Sequence, residues 1–167
     1  MANSITFHTV QSKAVTFSED QPDISDFTVS TVNKITVAGD PWVIFDTSNY
    51  GGDFYILKRG QLSFPNPIKG GIIQSMRRIK GGIGSSQVNF YPQPFYKGPA
   101  VSFDSDQSQL DKSFFSLQVD KGAVVFYDEE QFGGENRILL NGDKVENFTA
   151  VKLTYIGRSM KIAKYGN

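Results

Sequence analysis

The residues able to do acid–base, nucleophilic or metal chemistry are few in this chain. His8 is the single histidine and cysteine is absent, so thiolate metal sites, disulfides and cysteine nucleophiles are excluded. A Ser-His-Asp triad would have to be built on His8, beside Phe7 on a short β-pattern, and no G-x-S-x-G elbow accompanies it. The carboxylate clusters are Asp104/Asp106 and Asp128/Glu129/Glu130. Sugar hydrolysis needs two carboxyls facing each other across a cleft, whereas these fall at strand ends and turns, where acids are solvated. The basic pairs Lys58-Arg59 and Arg77-Arg78 offer an anion site or an ion-paired face. Trp42, Tyr55, Phe90, Tyr91, Phe95 and Tyr96 offer either a stacking platform or core. Alternation along strands sends about half of such residues inward, so core is expected. The glycines of Lys80-Gly81-Gly82-Ile83-Gly84 lack the G-x-G-x-x-G spacing and no helix-forming segment follows, so a linker is expected and not a phosphate loop.

The elements that must position these residues are strands. Phe occurs 14 times, Tyr 7 and Gly 16 in 167 residues, which favours β-structure with many turns. Ile5–Phe7, Ala14–Phe17, Lys34–Val37, Trp42–Phe45, Phe54–Leu57, Val88–Tyr91, Ala100–Phe103 and Ala123–Tyr127 read as short strands. Turn formers separate them, among them Gly51-Gly52, Pro65-Asn66-Pro67, Gly133-Gly134 and Asn141-Gly142. Only Val145 to Leu153 suggests a helical turn, capped by Asn147 and Thr149. Many short strands at this spacing predict an all-β sandwich or barrel. No apolar run approaches the roughly 20 residues of a membrane span. The 17 basic residues balance 17 acidic ones, so the basic surplus of a nucleic-acid binder is missing. The start of the chain lacks a basic stretch followed by an apolar one, so a cytoplasmic location is expected.

Internal repetition then specifies the architecture. Four segments share an aromatic strand, a hairpin with glycine, a second strand, a variable loop and a strand that opens with serine. The second runs from Trp42-Val43-Ile44-Phe45-Asp46 through Tyr50-Gly51-Gly52 to Ser75-Met76-Arg77-Arg78-Ile79. The third runs from Val88-Asn89-Phe90-Tyr91 through Phe95-Tyr96-Lys97-Gly98 to Ser116-Leu117-Gln118-Val119. The fourth runs from Val124-Val125-Phe126-Tyr127-Asp128 through Phe132-Gly133-Gly134 to Ser159-Met160-Lys161-Ile162. The first departs most, with Lys13 in place of the glycine and Lys34 in place of the serine. A hairpin folded back over its own sheet needs a residue at positive φ, which Gly52, Gly98 and Gly134 supply. Tyr50, Phe95 or Phe132 would cover the fold-over, and the later serine would hydrogen-bond that hairpin.

This grammar resembles the Greek-key motif of the βγ-crystallins, and four copies are similar to a two-domain, non-lens invertebrate member. The resemblance implies two β-sandwich domains of two Greek keys each, at residues 1–83 and 84–167, joined near Gly81–Ser86. It implies a non-enzymatic, stable structural protein, with no catalytic residues, existing as a monomer or in weak self-association. It also implies calcium as the one ligand. The family's calcium pattern, Asn/Asp-Asn/Asp-x-x-Ser/Thr-Ser, is intact in none of the four copies. The oxygens left are Ser30, Asn33, Asp46 and Gly71 in the first domain and Asp111, Ser113 and Asp128 in the second, so weak or vestigial binding is expected. A carbohydrate- or surface-binding module would instead need exposed aromatics on one face, and a hydrolase a cleft with facing carboxylates.

Overall fold

A computed structural model describes residues 2–9, 13–24, 32–63, 73–110, 113–148 and 158–166, with the side chains of 61–63 left aside. Contacts divide the chain into two units, one of Met1–Lys80 with Lys164–Asn167, the other of Gly81–Ala163. The expected division after residue 83 did not include that return of the C-terminal residues. No α-helix occurs among the described residues.

In the first unit the strands are β1 (Ser4–Thr9), β2 (Ala14–Phe17), β3 (Val32–Ala38), β4 (Trp42–Phe45), β5 (Phe54–Leu57), β6 (Gly60–Ser63) and β7 (Ser75–Arg78). They form two antiparallel sheets, ordered β2-β1-β3-β6 and β5-β4-β7. The exchange that makes a Greek key is visible at both edges. Strand β6 follows β5 in the chain but joins β3 in the other sheet. In return Gln21, which follows β2, bridges to Met76 of β7.

The second unit repeats this arrangement with β8 (Gln87–Tyr91), β9 (Val101–Phe103), β10 (Ser116–Lys121), β11 (Ala123–Tyr127), β12 (Asn136–Leu140), β13 (Lys144–Val145) and β14 (Ser159–Ile162). Its sheets are β13-β10-β8-β9 and β12-β11-β14, and Gln107 bridges to Met160 as Gln21 does to Met76. Each unit is thus a sandwich of two Greek keys.

Period-two alternation fills the space between the sheets. Along β1, Ile5 and Phe7 point inward and meet Ile35 and Val37 of β3, with Trp42, Ile44 and Met76 facing them from the other sheet. In the second unit Val88, Phe90, Leu117 and Val119 face Val124, Phe126 and Met160. Burying a side chain of this size contributes about 1.5–3 kcal/mol, so these two clusters dominate stability.

The structure corrects the expected helical turn: Val145 lies in β13, residues 146–148 are not helical, and residues 149–153 lie outside the described residues. The expected linker is also less free than its composition suggests. Ser86 is buried, its hydroxyl donating to the Ile83 carbonyl at 3.2 Å and accepting from the Ala123 N–H at 3.1 Å. A Cβ on Gly122 would stand 2.1 Å from that hydroxyl, so the backbone there can approach only because position 122 is glycine.

Candidate functional site: the hairpin corners and the expected calcium donors

Three of the four hairpins fold back over their sheets by one design. After β4 the N–H of Asp46 donates to the Asp53 carbonyl at 3.0 Å, closing an eight-residue corner. Inside it Asn49 and Tyr50 both lie at left-handed φ, 57° and 63°, followed by Gly52 at 75°. The third copy has Phe95 and Tyr96 at 59° and 61° with Gly98 at 89°, and the fourth Gln131 and Phe132 at 59° and 61° with Gly134 at 74°. The glycines are where the repeat requires them. The paired non-glycine residues are a feature that the sequence conceals, since each costs about 1–2 kcal/mol.

The serines offset that cost. Ser75 donates to the Thr47 carbonyl at 2.6 Å and accepts the Tyr50 N–H at 3.1 Å. Ser116 joins the Gln93 carbonyl at 2.7 Å to the Tyr96 N–H at 3.0 Å. Ser159 joins the Glu129 carbonyl at 2.6 Å to the Phe132 N–H at 3.0 Å. All three are fully buried, so each hydroxyl holds the second left-handed residue in a site that water does not reach.

The aromatic at that second position folds onto the end of the preceding strand. Tyr50 packs on Phe45 at 5.9 Å between centroids, Tyr96 on Tyr91 at 5.8 Å and Phe132 on Tyr127 at 5.8 Å. The covering residue of the third copy is therefore Tyr96 and not the expected Phe95, which is 57% exposed. A cation lies over each of these rings: Arg77 at 5.2 Å, Lys144 at 5.9 Å and Lys161 at 4.6 Å. Arg77 and Lys161 stand two residues after their serines. Lys144 reaches the same place from β13, where it pairs with Gln118, the residue two after Ser116.

The first copy has no such corner. The Thr9 N–H donates to the Lys13 carbonyl at 2.9 Å, and His8 pairs directly with Ala14. The hairpin closes within five residues, which explains why Lys13 needs no glycine; residues 10–12 lie outside the described residues.

Of the expected calcium donors, Ser30, Gly71 and Asp111 lie outside the described residues. Asn33 is exposed at a bulge of β3, where the register with β1 shifts between His8 and Thr9. Ser113 is exposed just before β10. Asp46 and Asp128 hold backbone: Asp46 Oδ1 accepts the Asp53 N–H and Asp128 Oδ1 the Glu135 N–H, both at 2.9 Å. No group of three His, Cys, Asp or Glu suited to a metal gathers among the described residues. The described donors therefore do not fit a highly charged calcium cage, which needs several carboxylates free to converge.

Several of the remaining candidates have structural partners too. His8 Nε2 lies 3.1 Å from Thr36 Oγ1, in a diagonal contact on the β1–β3 sheet. Asp106 Oδ1 accepts the Ile162 N–H and Asp20 Oδ1 the Arg78 N–H, both at 2.8 Å, so the two units use the same carboxylate clip. Asp20 also pairs with Arg77 at 3.4 Å. Glu130 Oε2 accepts from Gln109 Nε2 at 3.2 Å. Asp104 and Lys121 line a hollow of about 300 Å³ with Ile83, Ser85, Ser86 and Gln87. Burial raises the Tyr127 phenol above its usual pKa, helped by the Asp106 charge. Burial likewise raises that of Tyr96, with smaller contributions from Glu146 and Tyr91. Of the six aromatics weighed as a stacking platform, Trp42 and Phe90 are fully buried, Tyr55, Tyr91 and Tyr96 half-buried, and only Phe95 exposed.

Two Greek-key sandwiches with serine-pinned, aromatic-covered corners define a class, and residues 8–79 match the family model described as Beta/Gamma crystallin. Over those residues the chain matches the β/γ-crystallin family, and its curated relatives extend the likeness across most of its length. It is 29% identical to human Gamma-crystallin D over 133 residues, covering 75% of each. Among solved structures it is similar to geodin, a βγ-crystallin from Geodia cydonium, at 15% identity and a TM-score of 0.42, covering 98% of this chain and all of that one. It is also similar to protein S, solved in complex with calcium, at 17% identity and a TM-score of 0.39, covering 98% of this chain and all of that one. Among the described residues no helix is long and apolar enough to cross a membrane.

Proposed function

We propose that this chain is a non-enzymatic structural protein of the crystallin type, in which calcium binding is weak. The observation that carries the reading is where the reactive side chains are spent. Ser75, Ser116 and Ser159 are buried in corner hydrogen bonds, and Asp20, Asp46, Asp106 and Asp128 each bond a backbone N–H. Groups committed to backbone in this way stabilise a fold and are poor nucleophiles, bases or cation ligands.

The calcium part follows from charge. Few of the expected donors carry a carboxylate, and calcium affinity rises with carboxylate number, so a dissociation constant no tighter than about 10⁻⁴ M is expected. A ligand that binds only the folded state at tenfold excess over its dissociation constant stabilises by about 1.4 kcal/mol. A calcium titration read by Trp42 emission and melting temperature tests both parts. The expected result is a melting shift of a few degrees at millimolar calcium and none with magnesium, which demands a stricter octahedron. Asp111→Ala should reduce the shift if the second domain binds, and Asn33→Ala if the first does. Submicromolar affinity would replace the structural reading with that of a calcium sensor or buffer. No effect at about 10 mM would remove calcium and leave the structural reading alone.

A further inference from the structure

Strands β5 and β12 hold equivalent places at the edges of their sheets, each pairing with one named strand, β4 or β11. In an antiparallel ladder, residues alternate between facing the partner strand with their N–H and C=O and turning those groups away. The Asp46–Asp53 bond sets the phase, so Ile56, opposite Val43, turns its main-chain groups outward. Those two groups are met by Gly166. Gly166 donates its N–H to the Ile56 carbonyl at 2.9 Å and accepts the Ile56 N–H at 2.7 Å. Gly166 sits at φ +90°, where an L side chain is strained, although a Cβ there would find ordinary space, 3.8 Å from the Tyr55 ring. The glycine is thus needed for its backbone and not for room.

By the same phase, set in the second unit by the Asp128–Glu135 bond, Ile138 of β12 turns its main-chain groups outward. No segment bridges to Ile138 among the described residues, in contrast to Ile56. The difference lies in Lys164–Asn167, which cluster with the first unit although they follow the second in sequence.

We propose that the outer edge of β5 is a strand-docking site whose occupant is this chain's own segment Lys164–Gly166, and that the first unit is complete only with that segment in place. The partner chemistry is that of β-augmentation: an extended backbone supplies one donor and one acceptor, with glycine at the bridging position.

Amide hydrogen exchange on the full chain tests this. Three proteins are compared: the unaltered chain, a chain ending at Ala163, and full-length Gly166→Pro, which keeps the length but lacks the N–H and cannot reach φ +90°. The Ile56 amide should exchange about tenfold faster in both variants, the factor expected for one net backbone hydrogen bond, while the Ile138 amide keeps its rate. A peptide Ala-Lys-Tyr-Gly-Asn added in excess to the shortened chain should slow Ile56 again. Should the shortened chain fail to fold, Gly166→Pro still decides the matter, because its tail is present and only the bridge is lost. Equal Ile56 exchange in the unaltered chain and Gly166→Pro would overturn the proposal. So would protection of Ile56 that fades on dilution of the unaltered chain, since the occupant would then be the tail of a second copy.

Discussion

Replacing Gly134 with valine tests the corner geometry at its tightest point. Position 134 lies at φ +74°, and a Cβ there would stand 1.8 Å from Asp128 Oδ1. Holding a β-branched residue in the left-handed region costs about 1–2 kcal/mol. The collision also drives the Asp128 carboxylate away, so the Glu135 N–H loses its acceptor, for about another 1–2 kcal/mol. The expected loss is about 2–4 kcal/mol, or roughly 10–20 °C in the melting of a unit of this size. Calorimetry on the full chain measures it. The single tryptophan lies in the first unit, so a lowered transition that leaves Trp42 emission unmoved belongs to the second. Gly133→Ala is the control: its φ is −99°, and its nearest neighbour is the flexible end of Glu129 at 3.0 Å. It should cost less than about 0.5 kcal/mol. Combining Gly134→Val with Asp128→Ala should recover about 1 kcal/mol relative to additivity, because the displaced carboxylate is gone. Equal losses at 133 and 134, or a loss below about 0.5 kcal/mol at 134, would refute the reasoning.

Gly98→Val should cost less than Gly134→Val, because its Cβ would meet the Pro92 ring at 2.7 Å and no hydrogen bond is lost; Lys13→Val should cost least, and urea midpoints give the order. Ser159→Ala, measured the same way, should destabilise by about 2–4 kcal/mol, since it strands the Glu129 carbonyl and the Phe132 N–H in a buried site. Because burial and Asp106 hold Tyr127 above the ordinary tyrosine value of 10.0, the unfolded chain ionises there first. Its contribution to stability should be complete below about pH 10 and lost as pH rises through the folded value, and Tyr127→Phe should flatten that fall in alkaline melting curves. We further propose two separable folding units divided at Lys80/Gly81; in that case residues 81–163 expressed alone should melt cooperatively, and non-cooperative melting would argue for one intertwined domain.

The fold was legible because its determinants are local and repeated. Ala14–Phe17, Trp42–Phe45 and Phe54–Leu57 alternate or cluster strongly enough to be strands by composition, and the serine-led strands betray themselves by recurring. Strands β6, β12 and β13 were harder to see, because polar residues and glycine open them and their partners, β3, β11 and β10, are chosen by tertiary pairing. The corners were half legible. Gly52, Gly98 and Gly134 announce positive φ, but Asn49-Tyr50, Phe95-Tyr96 and Gln131-Phe132 are ordinary residues held there by a serine some 20–30 positions away. A sequence signal for the aspartate clip did exist: Asp46 and Asp128 each stand six residues before the corner glycine, where the third copy has Pro92. In both aspartates one carboxylate oxygen serves a backbone N–H, a structural role that the sequence reading did not include.

Protein synthesis gives the Gly166–Ile56 bridge an order in time. Ile56 leaves the ribosome early and its two outward main-chain groups then wait for a partner translated about 110 residues later. Until Gly166 emerges, the β5 edge of the nascent chain is an open strand in a crowded cell, the kind of surface that invites pairing with another chain. A break in the chain just after Ala163 would leave every core residue of both sandwiches in place and still leave that edge uncovered.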